Sequence, residues 1–323
     1  MRLPSFAGAV LLAAGVAGCL GATTDSPAPL DVTSPGAWTT LAPMPTPRQE
    51  VAVAALDNLV YVIGGFGPSA LPMITVEAYD PTTNEWATKA PLPEATHHAA
   101  AVVVDGRLFV LGGYTGGRMS WTAVPTVYEY DAERNAWSTR APLPTPRGAL
   151  AAVVLGGRIH ALGGTGDDTT GVHEVYDVAS NRWTAANPMP TARDHFAAVA
   201  FQGRIWAVGG RTSFMGQQFD NVEVYDPATD SWQTGPPLPT ARGGLAAAVL
   251  ADRIFVFGGE APFRIFNATE MYEPAGNRWI AKAPMPTPRH GIGAAVLDGR
   301  IYVPGGGREP MFAATGVNEV YTP

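Results

Sequence analysis

The stretch HAAAVVV (98–104), Asp105-Gly106, RLFVLGG (107–113), TVYEYDA (126–132), AWSTRAPLP (136–144) decides the fold. A run of small and β-branched residues reaches an Asp-Gly pair, which suits a two-residue hairpin turn. An apolar strand then returns to Gly-Gly. After a loop come a strand ending in Tyr130 and a turn, then a strand opening on Trp137. That makes four short antiparallel strands. No stretch of the chain sustains a 3.6-residue period, so an α/β alternative fails.

The same unit recurs along the chain. Gly-Gly pairs begin at 64, 112, 163, 209, 258 and 305, and tryptophans stand at 38, 86, 137, 183, 232 and 279. Both series advance by 48, 51, 46, 49 and 47 residues. Tyr79, Tyr130, Tyr176, Tyr225 and Tyr272 each precede a Trp by seven positions, whereas Tyr321 has no Trp after it and Trp38 no Tyr before it. The ring therefore closes only if the N-terminal strand around Trp38 completes the last unit. One such sheet cannot bury both faces, but six stacked radially bury a continuous core and protect their edges. The reading is all-β: a six-bladed β-propeller with four antiparallel strands per blade.

Gly-Gly after an apolar strand, followed by the spaced Tyr and Trp, resembles the kelch repeat over residues 37–323. The resemblance implies a propeller whose innermost strand follows the Pro-rich loop. Neither a sialidase-type Asp-box nor a Trp-Asp signature is present, which argues against other propeller families.

Composition agrees with many short strands joined by turns. The chain has 37 Gly and 30 Pro in 323 residues, with 46% hydrophobic and 15% charged residues. Net charge is −7 and basic residues never cluster, so nucleic acid is not an expected partner. The first segment reads as an export signal. Arg2 precedes an apolar stretch, Phe6 to Val16, too short to span a bilayer, and the stretch ends at Val16-Ala17-Gly18-Cys19. Cys19 is the one cysteine, so it has no disulfide partner. The run resembles a bacterial lipoprotein signal: residues 1–18 as signal peptide, Cys19 acylated, and 19–36 as a flexible tether. The expected location is the cell envelope, with the lipid as sole membrane contact and the propeller monomeric.

Strand direction puts the Pro-rich loops and the loops after Gly-Gly on one face of the disk. The hairpins, with Arg107, Arg158, Arg204, Arg253 and Arg300, fall on the other. On the first face one position per blade reads Arg48, Thr96, Arg147, Arg193, Arg242, Arg289. Five arginines around an axis suit a carboxylate, sulfate or phosphate. Repetition is the mark of architecture more than of a site, so the preferred reading is that they bridge blades and satisfy loop carbonyls.

Function should show as departures from the repeat. The next two positions are Gln49-Glu50, His97-His98, Gly148-Ala149, Asp194-His195, Gly243-Gly244 and His290-Gly291. His98, His195, Glu50 and Asp194 are the acid/base candidates, and His97 and His290 candidate ligand contacts. Glu50, His98 and His195 are also metal-binding residue types. However, blades one and two are neighbours and blade four lies across the ring, so neither a metal nor another cofactor is expected. The loops after Gly-Gly carry Trp121, Phe214, Phe263, Phe266 and Phe312 with Arg118, Arg211, Arg264 and Arg308, a composition enriched at recognition surfaces.

Two functions compete. One is a binding module whose loop face recognises an envelope protein or glycan. The other is a carbohydrate-acting enzyme, since periplasmic kelch propellers that epimerise sialic acid are also six-bladed. In that case the Arg ring would hold the sugar carboxylate, although no catalytic residue carries over by motif. The copper radical oxidases that share kelch propellers need a linked Tyr–Cys pair, and Cys19 lies outside the domain.

Overall fold

The computed structural model describes residue 1 and residues 30–117, 120–213 and 216–323. Cys19 and the leader lie outside the described residues, as do Arg118 and Phe214. Six four-stranded antiparallel sheets form the blades, and the described residues include no helix. In blade 1 the strands are Ala52–Leu56, Leu59–Ile63, Val76–Asp80 and Glu85–Thr88, from the axis outward. Blade 6 takes its outermost strand, Ala37–Thr40, from the start of the chain; it pairs with Asn318–Thr322, and Trp38 lies opposite Tyr321. The closure expected from the displaced Trp is therefore present.

The repeat residues hold neighbouring blades together. Each of the six repeat Trp indoles donates a hydrogen bond to a carbonyl of the linker entering its own blade, as Trp86 does to Ala42, Trp137 to Ala90 and Trp38 to Ala283. Beside it, Asn84 and Asn135 accept from the Tyr hydroxyl of their own blade and from a backbone N–H across the seam. Tyr rings also meet between sheets, as Tyr61 meets Tyr130 at 5.7 Å. Facing apolar strands fill the rest, which is why second strands such as Arg107–Leu111 are buried on both faces.

The docked chain begins earlier than residue 37. Val32 packs on the core of blades 5 and 6, and the Pro35 carbonyl accepts from the Ala283 N–H and the Tyr321 hydroxyl. Lys282 Nζ donates to the carbonyls of Val32 and Ser34. Residues 30–36, expected as tether, are thus seated on the propeller.

At the axis, the residues that open each blade form a second closure. Glu50, His98, Ala149, His195, Gly244 and Gly291 all have φ between 50° and 64°. The N–H of each donates to the carbonyl of the one before it, at 2.8–3.1 Å, and Glu50 donates to Gly291 to complete a six-membered belt. A left-handed backbone is costly for a side chain with a β-carbon, so glycine in blades 5 and 6 is the relaxed choice. Below this belt the axial channel is lined by Ala and Val of the innermost strands.

Candidate functional site

The five repeated arginines do not face a ligand. Each side chain is fully buried, with a carboxylate of its own blade's third strand at 2.5–3.2 Å: Arg48–Glu77, Arg147–Glu174, Arg193–Glu223, Arg242–Glu270, Arg289–Glu319. The guanidinium also donates to strand carbonyls, as Arg147 does to Gly163 and Ala161. The other carboxylate oxygen accepts from a Thr hydroxyl two residues before the Arg in four blades, as Thr145 donates to Glu174. These side chains clasp their own blade. Bridging between blades falls to the backbone: the Arg48 carbonyl accepts from Gly306, and Arg147 from Gly113. Blade 2, with Thr96, lacks the clasp, and its Glu129 pairs with Arg140 and Arg107 instead. Of the two readings of these arginines, architecture and anion cradle, five internal ion pairs favour the architectural one, although the side chains clasp their own blade instead of bridging neighbours.

The varied positions do converge. Above the belt lies a cavity of about 490 Å³, a volume suited to a small ligand. One wall is aromatic: Phe66 stacks on His97 at 3.8 Å, with Trp121 and Phe312 5.6 Å and 5.4 Å from Phe66, and Tyr114 beside Trp121. The opposite wall and floor are charged. Arg211 pairs with Glu260 at 2.6 Å and lies 3.7 Å from Asp194. Asp194 accepts from His195 Nδ1 and from the Thr169 hydroxyl. Glu50 lies between His98, whose Nε2 is 3.3 Å from Oε2, and His290, whose Nδ1 is 3.4 Å from Oε1. The same His290 nitrogen is 3.4 Å from Glu260.

Burial and charge set the protonation states. Burial opposes a cation at His290, but Glu260 and Glu50 outweigh it and raise that imidazole to about 10. Burial would raise Glu50, yet the surrounding imidazoles, His98 first, hold it well below the ordinary carboxylate value. His195 and then Arg211 lower Asp194, and His290 and then Arg211 lower Glu260, each against burial. Burial keeps His98 well below its ordinary value and His97 at about 4, so both are neutral near pH 7. The carboxylates Glu50, Asp194 and Glu260 are thus held ionised beside Arg211 and a protonated His290.

Glu50, His98 and His195 offer ligand atoms that all lie within 4.8 Å of one another. Blade 4 does lie across the ring from blade 1, but the belt is narrow enough to bring the Glu50 and His195 ligand atoms within 4.8 Å. The separation expected to exclude a metal therefore does not exist. Gln49 is buried in the cavity wall and holds the loop at 311–313 through hydrogen bonds to Met311 and Ala313. Other candidates fall elsewhere. Phe263 is 78% exposed at the tip of the short hairpin Glu260–Ala261/Arg264–Ile265, and Arg264 lies over Phe266, which is buried rather than part of an exposed rim.

The position directly after Gly-Gly supplies Arg211, which the sequence reading named, and Phe66, Tyr114, Thr165 and Glu260, which it missed; in blade 6 it is Gly307. Each forms an isolated β-bridge with the residue after the repeated Arg or Thr, as Asp194 does with Arg211. Their variety was the available signal. Gly148 makes room for Tyr114, whose ring crosses it to reach the Thr165 carbonyl and would lie 2.3 Å from an added β-carbon.

Six blades closed by the first strand, with loops converging on one polar axial cavity, define a six-bladed propeller fitted to bind a ligand or protein. A family model described as the KLHDC2/KLHL20/DRC7 Kelch-repeats domain matches residues 33–210 and 97–306. The chain belongs to the Kelch-repeat family. It is 29% identical over 138 residues to Kelch-like protein 35 of Mus musculus, and 34% identical over 135 residues to Kelch-like protein 25 of Xenopus tropicalis. These matches cover 42% and 39% of this chain but 22% of each relative. Among solved structures, the structure of YjhT aligns with a TM-score of 0.73 at 16% identity, over 86% of this chain and 95% of that one. That likeness concerns the fold.

Proposed function

We propose that this propeller is a binding module whose axial cavity takes a sugar ring or a polar group of similar size, displayed by a glycan or a protein of the cell envelope. The observation that carries this is the pairing of unlike walls: the Phe66–Trp121 platform faces Asp194, Arg211 and Glu260 across about 490 Å³. A sugar has the matching character, with C–H faces that stack on aromatic rings and hydroxyls that bond to carboxylates and guanidinium. The cations Arg211 and His290 are already engaged by Glu50, Asp194 and Glu260, so a neutral or cationic ligand is favoured over an acid. Calorimetry on the full chain with neutral saccharides, amino sugars and sugar acids tests this. Neutral or amino sugars should bind at least ten-fold tighter than acids, and Trp121→Ala should abolish binding. Binding of acids alone, or of no sugar, refutes the reading.

The carbohydrate-acting alternative has one observation in its favour. Asp194 holds His195 Nδ1 at 2.5 Å, and Nε2 has no hydrogen-bond partner among the described residues, as in a base oriented by a carboxylate. Its sugar-acid form has lost the arginines meant to hold the carboxylate. We further propose that the chain is exported and lipid-anchored through Cys19. Cys19→Ser should then move the folded protein from the membrane to the soluble fraction; retention on the membrane counts against the anchor.

A further inference from the structure

We propose that Glu50, His98 and His195 bind a divalent transition ion of the zinc class at the propeller axis. This goes beyond the sugar-binding reading and stands without it. Their ligand atoms lie within 4.8 Å of one another, and His98 Nε2 is 3.3 Å from Glu50 Oε2. Bonds of about 2.0–2.2 Å place tetrahedral ligand atoms roughly 3.3–3.6 Å apart, so one edge of the polyhedron is already formed. Two imidazoles and a carboxylate suit zinc, cobalt or nickel, and not calcium or magnesium, which take oxygen ligands.

Each ligand also has an outer partner that orients it. Asp194 accepts from His195 Nδ1, which leaves Nε2 as the free lone pair on a side chain 91% buried. His97 and His98 share a hydrogen bond between their Nδ1 atoms, which leaves His98 Nε2 toward Glu50. His290 lies against the second oxygen of Glu50. Carboxylate or hydrogen-bonded partners behind every imidazole are the usual support of a metal site. The backbone points the same way. Three large polar side chains occupy left-handed positions where Gly244 and Gly291 show that glycine serves the fold. Three protein ligands leave at least one coordination position open to the cavity above.

The test is equilibrium dialysis of the full chain, purified without a histidine tag, against micromolar Zn²⁺ or Co²⁺, with elemental analysis and the cobalt absorption spectrum. One ion per chain is expected, with the intense visible bands of low-coordinate cobalt. His98→Gly and His195→Gly adopt the residue found in blades 5 and 6, so they should keep the metal-free melting temperature and lose the ion. Asp194→Asn should weaken binding about 10–100-fold. Asp167→Asn, an exposed acid of the neighbouring loop, should change nothing. If wild type retains no ion, or the glycine variants retain it as wild type does, the site is refuted. Should those variants not fold, paramagnetic shifts on two imidazoles of cobalt-loaded wild type carry the test, and their absence refutes the site. Because no sugar is present, failure here leaves the sugar reading untouched. An ion on His195 would exclude it as a free base.

Discussion

Arg147 and Ala149 stand two residues apart, yet their positions in the repeat have opposite fates. The first, filled by Arg in five blades, is sealed inside each blade against a Glu. The second, filled by Glu, His, Ala or Gly, opens on the axis and carries the only polarity the channel mouth has from that belt. Repetition here marks what every blade requires of itself, and variation marks what the disk as a whole presents. Blade 2 supports this from the other side. Where Arg gives way to Thr96, Glu129 turns to Arg140 and Arg107, so its charge stays neutralised within the blade.

The comparison can be broken in four places. The largest effect should come from deleting residues 30–42. That removes the strand paired with Asn318–Thr322 and the Trp38 and Pro35 contacts, and should lower the melting temperature of the whole domain. A truncated protein that melts like the intact one refutes closure by the first strand. Next, Arg147→Ala and Arg242→Ala each leave a carboxylate buried without its partner. A loss of about 3–5 kcal/mol is expected in denaturant unfolding. A loss below about 1 kcal/mol would return these arginines to the list of ligand contacts.

A third effect concerns His160 and His173, which depart from the repeat but lie inside blade 3 instead of at the axis. His160 Nδ1 and His173 Nε2 share a hydrogen bond at 2.8 Å, and His173 Nδ1 donates to the Asn187 carbonyl. Burial lowers both from 6.5 to about 4. Below pH 6.5 the unfolded chain therefore binds protons that the folded chain refuses. Stability should fall as pH drops from 6.5 toward 4, by at most about 1.4 kcal/mol per pH unit for each histidine. Unfolding of the His160→Gln/His173→Gln double variant should show a shallower slope, and an unchanged slope would place the titrating groups elsewhere. The smallest effect should follow from His98→Ala or His195→Ala, which stay within about 1 kcal/mol of wild type because no strand pairing is lost. Destabilisation as large as that of the arginine variants would make the axial histidines architectural.

The fold was legible because Gly-Gly, Tyr and Trp keep one spacing, and an unpaired Trp38 shows how the ring must close. The arginine clasp was half legible. A Glu stands in the third strand of every blade, Glu77 through Glu319, and that partner for the Arg was in plain sight. The site was harder to see, since proximity across the axis depends on how tightly six backbones close. Left-handed φ at His98 leaves no mark on His98 itself. Its trace is Gly244 and Gly291 at the same place in other blades. Residues 30–36 gave little signal because, apart from Val32, their seating rests on backbone carbonyls, which any residue offers.

The strand Ala37–Thr40 runs from the hairpin side of the disk toward the Pro-rich loop at 41–47, on the cavity side. The chain before it therefore leaves from the hairpin side, where Leu30 lies near the turn at Gly299, 3.4 Å from the position of an added β-carbon. Whatever holds the N-terminal segment, the mouth of the cavity looks the other way. A propeller tethered by that end to a surface would stand on its hairpins like a cup on a table, open to what passes above.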